Sequence, residues 1–188
     1  MSNSFPFWCF TLLLFSFCAF CTKEDEKNHL ATQEKNIDAF ITKDTADAYR
    51  MNRDTVIVVT NKREANRIVW NPGTGNDTIA RGDTVLFSYI GYIFSTGRGA
   101  IIATNKPELV GSASWPLSIF PGDFGRNAVG TGYYVPGLDA GLTGMRTGEF
   151  AYILFTSQYG YGNKEVSTIP KMSSLMFEVT IINVVKKE

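Results

Sequence analysis

Beyond residue 54 this sequence leaves room for only one helix, and a short one. Two longer segments of that part carry apolar residues at every second position, the period of a strand with one buried face. In 174–185, Leu175, Phe177, Val179 and Ile181 fall on one face, with Glu178 and Thr180 on the other. Segment 84–94 repeats the pattern: Val85, Phe87 and Tyr89 alternate with Leu86 and Ser88. Segments 55–60 (TVIVVT), 67–70 (RIVW) and 149–156 (EFAYILFT) are short, apolar and rich in β-branched or aromatic residues, and 71–77 (NPGTGND) is a dense turn signal. The exception is 136–144 (PGLDAGLTG), where Pro136 suits a first helical turn and Gly144 a terminator. The expected architecture is α+β, an antiparallel sheet covered by one short helix, with no internal repeat and no second domain.

The N-terminal part reads differently. Residues 1–22 carry no charge, and 5–21 (FPFWCFTLLLFSFCAFC) are almost wholly apolar. The run falls short of the ~20 residues of a membrane span. It reads as a secretory signal peptide, although the usual positive n-region is missing. Cys21, followed by Thr22-Lys23-Glu24-Asp25-Glu26, resembles the acylation site of a bacterial lipoprotein, and Lys-Glu-Asp resembles the surface-export signal of some Gram-negative lipoproteins. Phe20 departs from the small residue usual before such a cysteine; an uncleaved anchor and cleavage elsewhere are the alternatives. The expected organisation is a signal peptide over 1–20, a lipid-anchored helical spacer over 21–53 with Cys21 as the lipidation site, and a folded domain over 54–188. That domain is expected outside the cytoplasm, on the periplasmic side or at the surface of a Gram-negative bacterium. Within the spacer, Leu30, Ile37, Phe40, Ile41 and Tyr49 predict a helix over 24–50. Its apolar stripe is thin and the rest is charged, so it reads as a rod lifting the domain off the membrane. The repeat is too short for a coiled coil.

Composition excludes several functions. Lys+Arg and Asp+Glu balance at 18 each, so no global field favours nucleic acid. All three cysteines lie in the apolar run, which leaves no downstream disulfide, thiol nucleophile or cysteine-type zinc site. The one histidine, His29, sits on the polar helix and reads as a solvated residue, so no metal centre or cofactor site is expected. No glycine cluster extends to GxGxxG, no Gly-Lys pair suits a P-loop, and GxSxG and HExxH are absent. Arg81-Gly82-Asp83 matches an adhesion tripeptide but reads as a turn entering a strand. Asn76-Asp77-Thr78 is formally a glycosylation acceptor, and the repeated Asp-Thr pairs read as capping chemistry.

One ordered set of fragments is specific. Ser88-Tyr89-Ile90-Gly91 is followed by Ile102-Ala103-Thr104-Asn105 and Pro116-Leu117-Ser118-Ile119. Then come Val135-Pro136-Gly137-Leu138-Asp139-Ala140-Gly141-Leu142-Thr143-Gly144-Met145, Tyr159-Gly160-Tyr161-Gly162, Ile169-Pro170 and Leu175-Met176-Phe177-Glu178-Val179. In order and spacing these resemble the FKBP-type peptidyl-prolyl cis-trans isomerases over about residues 68–186, most closely over 135–179.

The resemblance implies an FKBP-like fold, a curved antiparallel sheet wrapped around the 136–144 helix, with a proline pocket between them. Carried over by position, the pocket walls are Tyr89, Ile102, Leu117, Val135, Ile169 and Phe177, and Leu138 is the floor where the family often has Trp. Tyr161 is implied to offer its hydroxyl to a substrate carbonyl and Val135 its backbone N–H, which with Tyr89 makes three catalytic candidates. The implied partners are proline-containing polypeptides, and the implied activity is prolyl isomerisation of exported chains. The alternative is a catalytically weak or inactive peptide-binding module on the same fold, serving as a chaperone or assembly lipoprotein. Where the family usually has Phe-Asp, this chain has Ile102-Ala103, so a carboxylate that orients the pocket is missing. Residues 123–134 (DFGRNAVGTGYY) read as a glycine-rich insertion beside the pocket mouth.

Overall fold

The computed structural model describes residues 8–50, 57–61, 64–80, 83–106 and 135–186, with side chains from residue 23 on except at 49–50, 58–61 and 84. Helix α1 (Trp8–Arg50) is followed by β1 (Ile57–Asn61), β2 (Ala65–Pro72), β3 (Thr84–Phe94) and β4 (Arg98–Thr104). The chain resumes with helix α2 (Pro136–Leu142), β5 (Glu149–Phe155), a 3-10 turn (Ser157–Tyr159) and β6 (Ser174–Val185). The strands form one antiparallel sheet in the order β1-β2-β5-β6-β3-β4.

The two-residue period of the central strands builds a core on each face. Ala151, Ile153 and Phe155 of β5 pair in register with Val179, Phe177 and Leu175 of β6. With Val85, Phe87 and Tyr89 of β3, and Leu138 and Leu142 of α2, they form the inner core. The intervening residues point outward, and there Leu154 and Met176 meet Ile68, Phe94 and Ile37 in a second buried cluster.

That outer cluster takes in part of the helix expected as a spacer. The stripe Ile37, Phe40, Ile41 lies on the outer face of the sheet, and Phe40 meets Phe94 edge-on at 5.3 Å between ring centroids. The stripe is thin because a single helix crossing a sheet needs only a few apolar residues to cover the crossing. The helix also runs further than 24–50, beginning at Trp8. Among the described residues no helix is long and apolar enough to cross a membrane.

Strand β4 and the 3-10 turn were not foreseen. In β4 four residues from Arg98 are exposed, so no alternation marks it. The turn reading at Asp83 agrees with the structure: its Oδ2 accepts from Ala80 N–H at 2.8 Å and from Lys186 Nζ at 2.6 Å.

Candidate functional site

The site is built where α2 lies against the inner face. Pro136 opens the helix after Val135, which has an extended backbone, and Gly144 at φ +81° ends it. Seating so short a helix directly on a strand requires two glycines one turn apart. A Cβ at Gly137 would stand 2.2 Å from Cγ of Phe155, and one at Gly141 would stand 2.2 Å from Cγ2 of Ile153. Arg67 of β2 reaches the far end of α2, donating from Nη1 to the carbonyls of Gly141 (2.8 Å) and Thr143 (2.9 Å). A cation there also favours the negative end of the helix dipole. Glu149 stands 3.5 Å from Arg67 Nε, a charge contact without a well-formed hydrogen bond.

Aromatic rings line the floor between helix and sheet. Phe177 stacks on Phe155 at 5.9 Å and 13°. Tyr89 lies 6.2 Å from Phe177 and 5.6 Å from Phe87. The Phe177 ring occupies the space above Gly91, where a Cβ would meet Cε1 at 2.7 Å. Burial pushes the Tyr89 phenol above its ordinary 10.0, and the neighbouring Tyr161 adds to the rise. The Tyr89 phenol therefore stays neutral in ordinary buffers.

Tyr89, Leu138, Ile169 and Phe177 are all buried members of the inner core, and Ile102, Val135 and Tyr161 are partly buried against it. Seven of the eight expected pocket residues thus converge on one cluster. The eighth, Leu117, lies outside the described residues, as does the 123–134 insertion. The buried members form a bed closed to solvent, and Ile102, Val135, Tyr159 and Tyr161 are among the partly buried residues packed around it. Ile102 reaches the cluster through a register shift. Gly91 pairs with Ala103 and Tyr92 with Ile101, which leaves Ile102 opposite no partner.

Sequence reasoning missed the residues that hold these side chains in place. Thr104 Oγ1 donates to the Tyr89 carbonyl at 2.7 Å, and Asn105 Oδ1 accepts from Tyr89 N–H at 2.9 Å. Asn105 Nδ2 donates to the Phe87 carbonyl at 2.8 Å, so this side chain continues the pairing of β3 where β4 has ended. The only available signal was their place at the end of the Ile-Ala-Thr-Asn fragment. Tyr161 sits in the loop between the 3-10 turn and β6, beside Gly162 at φ +60°. Among the described residues, no group of three or more His, Cys, Asp or Glu side chains is placed to hold a metal ion.

Comparison with known proteins matches this architecture. A sequence model described as FKBP-type peptidyl-prolyl cis-trans isomerase matches residues 123–182. The chain is 30% identical over 114 residues to FK506-binding protein 1B of Emericella nidulans, covering 60% of this chain and 89% of that protein. The chain belongs to the FKBP-type peptidyl-prolyl cis-trans isomerase family. A second FKBP relative, FK506-binding protein 1A of Aspergillus fumigatus, is 30% identical over 118 residues, 62% of this chain and 91% of the relative. The N-terminal domain of FKBP42 from Arabidopsis thaliana superposes with a TM-score of 0.56 at 16% identity, over 69% of this chain and 93% of that one. The three FKBP domains of wheat FKBP73 give 0.55 at 20% identity, over 71% and 51%. At these identities the two structures speak for the FKBP fold alone.

Proposed function

We propose that this protein is a peptidyl-prolyl cis-trans isomerase that acts on exported or surface polypeptides outside the cytoplasm. The observation that carries the reading is the gathering of Tyr89, Ile102, Val135, Leu138, Tyr161, Ile169 and Phe177 around one apolar cluster beneath α2. Rotation about a prolyl amide is slow because resonance must be given up, at a barrier of ~18–20 kcal/mol. The twisted amide is less polar than the planar one, so an apolar bed disfavours the ground state more than the transition state. Tyr161, a donor at the edge of that bed, holds a flanking carbonyl, and the Val135 N–H is the second donor. No proton moves, so the reaction asks nothing of His29.

A second reading has one specific observation in its favour: Ala103 stands where the family usually has a carboxylate. On that reading the protein binds prolyl segments without accelerating their isomerisation. A proline-isomer-coupled peptide assay on the purified protein decides between them. The isomerase reading expects a rate that rises linearly with protein concentration. A rate equal to the uncatalysed one, with binding to unfolded chains retained, would leave the binding module.

The location rests on the apolar run before Cys21 and the charged Lys-Glu-Asp after it. We place 1–20 as a leader, Cys21 as the lipidated residue, 21–53 as the link to the membrane and 54–188 as the domain. Fractionation of cells expressing Cys21→Ser tests this: the variant is expected in the soluble extracytoplasmic fraction, and unchanged membrane association would refute lipidation.

A further inference from the structure

The loop that carries Tyr161 and Ile169 is fastened from the opposite side of the sheet by side chains of α1, and Gln33 makes two of the contacts. Gln33 is buried and uses both ends of its amide: Oε1 accepts from Ser157 N–H at 2.8 Å, and Nε2 donates to the Met172 carbonyl at 2.6 Å. Ser157 and Met172 are the two ends of the loop. Inside it, Gly162 N–H donates to the Ser157 carbonyl at 2.8 Å, and Met172 N–H donates to the Gly162 carbonyl at 2.8 Å. The four residues close a ring of hydrogen bonds, Gln33–Ser157–Gly162–Met172, with Tyr161 next to one of its corners. Met172 is held in the left-handed region at φ +58°, an uncommon conformation for a residue with a side chain. Its carbonyl also lies 3.1 Å from His29 Nε2.

We infer that Gln33 is a positioning residue for the Tyr161 loop, so that docking of α1 on the outer face sets the geometry of the site on the inner face. The chemistry of the position is narrow. The site asks for one acceptor and one donor a single amide width apart. Glutamate supplies only acceptors, and leucine supplies neither. Each bond joins α1 to the loop backbone directly, so loss of either one frees the loop without touching the apolar contacts of Ile37, Phe40 and Ile41. The inference rests on the proposed role of Tyr161 for its meaning to function, but its geometry stands apart from that role.

The test compares Gln33→Leu, Gln33→Glu and, as a control on the exposed face, Glu34→Ala, each in the full chain. Three readouts apply: amide hydrogen exchange at Ser157, Gly162 and Met172; the ring resonances of Tyr161; and kcat and KM for a prolyl peptide. Gln33→Leu is expected to speed exchange at these amides about thirtyfold, roughly the loss of two net hydrogen bonds. It should also move the Tyr161 resonances and lower kcat/KM by a similar factor, while exchange in the central strands β5 and β6 stays near that of the parent. Gln33→Glu is expected to keep protection at Ser157 and to lose it at Met172. Glu34→Ala should change none of the three. Unchanged exchange and unchanged Tyr161 resonances in Gln33→Leu would overturn the inference, and so would failure of both Gln33 variants to fold, which would make the residue a general structural one. If the parent protein shows no isomerase activity, the proposed function falls, yet the exchange and resonance data still decide the role of Gln33.

Discussion

Gly137 and Phe155 fit together with no space to spare. Because a Cβ at 137 would fall 2.2 Å from the Phe155 ring, Gly137→Ala must either lift α2 or turn the ring. Overpacking of this kind costs about 1–3 kcal/mol, and the ring cannot turn alone because it stacks on Phe177. A urea titration should show that loss, and prolyl-peptide affinity should weaken with it. Tyr161→Phe is a different kind of change, since it deletes only a hydroxyl. It is expected to slow isomerisation about two- to tenfold, the worth of one net hydrogen bond, and leave affinity for an unfolded chain nearly intact. Phe177→Ala opens the bed itself and should cost about 3–5 kcal/mol of stability together with most of the activity. An unaltered rate in a folded Tyr161→Phe protein would remove that hydroxyl from the proposed mechanism. At this scale strand alternation made the inward facing of Tyr89 and Phe177 legible, while Ile102, Val135, Leu138, Tyr161 and Ile169 were expected in the cluster only through the family resemblance. The sequence could not show Ile102 entering through a register shift, or Gln33 reaching across from a distant helix. Neither leaves a periodic trace.

At the scale of elements, α2 is held by Arg67, and Arg67 is held beside Glu149. Burial raises the Glu149 carboxyl above its ordinary 4.5, against the opposing pull of Arg67 and the Arg146 N–H. Burial lowers the Arg67 guanidinium in turn. The sign follows from the direction. The folded state holds the Glu149 proton more tightly than the unfolded chain does, so this group favours folding most below about pH 4.5. That contribution is lost as pH rises through the raised value. A glutamine side chain cannot ionise, so the stability of Glu149→Gln relative to the parent should climb from pH 4.5 upward and then level off. Urea titrations of both proteins across this range measure the difference; a relative stability that falls instead would mean that the Arg67 contact outweighs desolvation. Element boundaries were readable where burial alternates without interruption, as in β6, whose limits 174–185 agree with the expectation. They were unreadable at β4, whose outward residues are exposed.

Across the whole molecule the sheet is covered on both faces, and the two covers differ in kind. The inner one is a two-turn helix seated on glycines, next to the loop that carries Tyr161. The outer one is a long helix that, among its described side chains, brings Ile37, Phe40 and Ile41 to the apolar contact, alongside the hydrogen bonds of Gln33. From the sequence the outer cover looked like a solvated rod. Its partners, Ile68, Leu154 and Met176, are buried inside continuous apolar runs, where they read as ordinary strand residues. If α1 is part of the folded unit, it should unfold with the sheet. Ile37 is 1% exposed at the centre of the contact. Ile37→Ala should therefore lower the unfolding free energy by about 2–4 kcal/mol. The same loss should be read from the helical circular-dichroism signal and from hydrogen exchange of β6 amides, since a cooperative unit gives one transition to every probe. An independent rod would behave otherwise. Its helical signal would weaken in the variant while β6 kept its protection, and α1 would then be a tether that rests on the sheet without stabilising it.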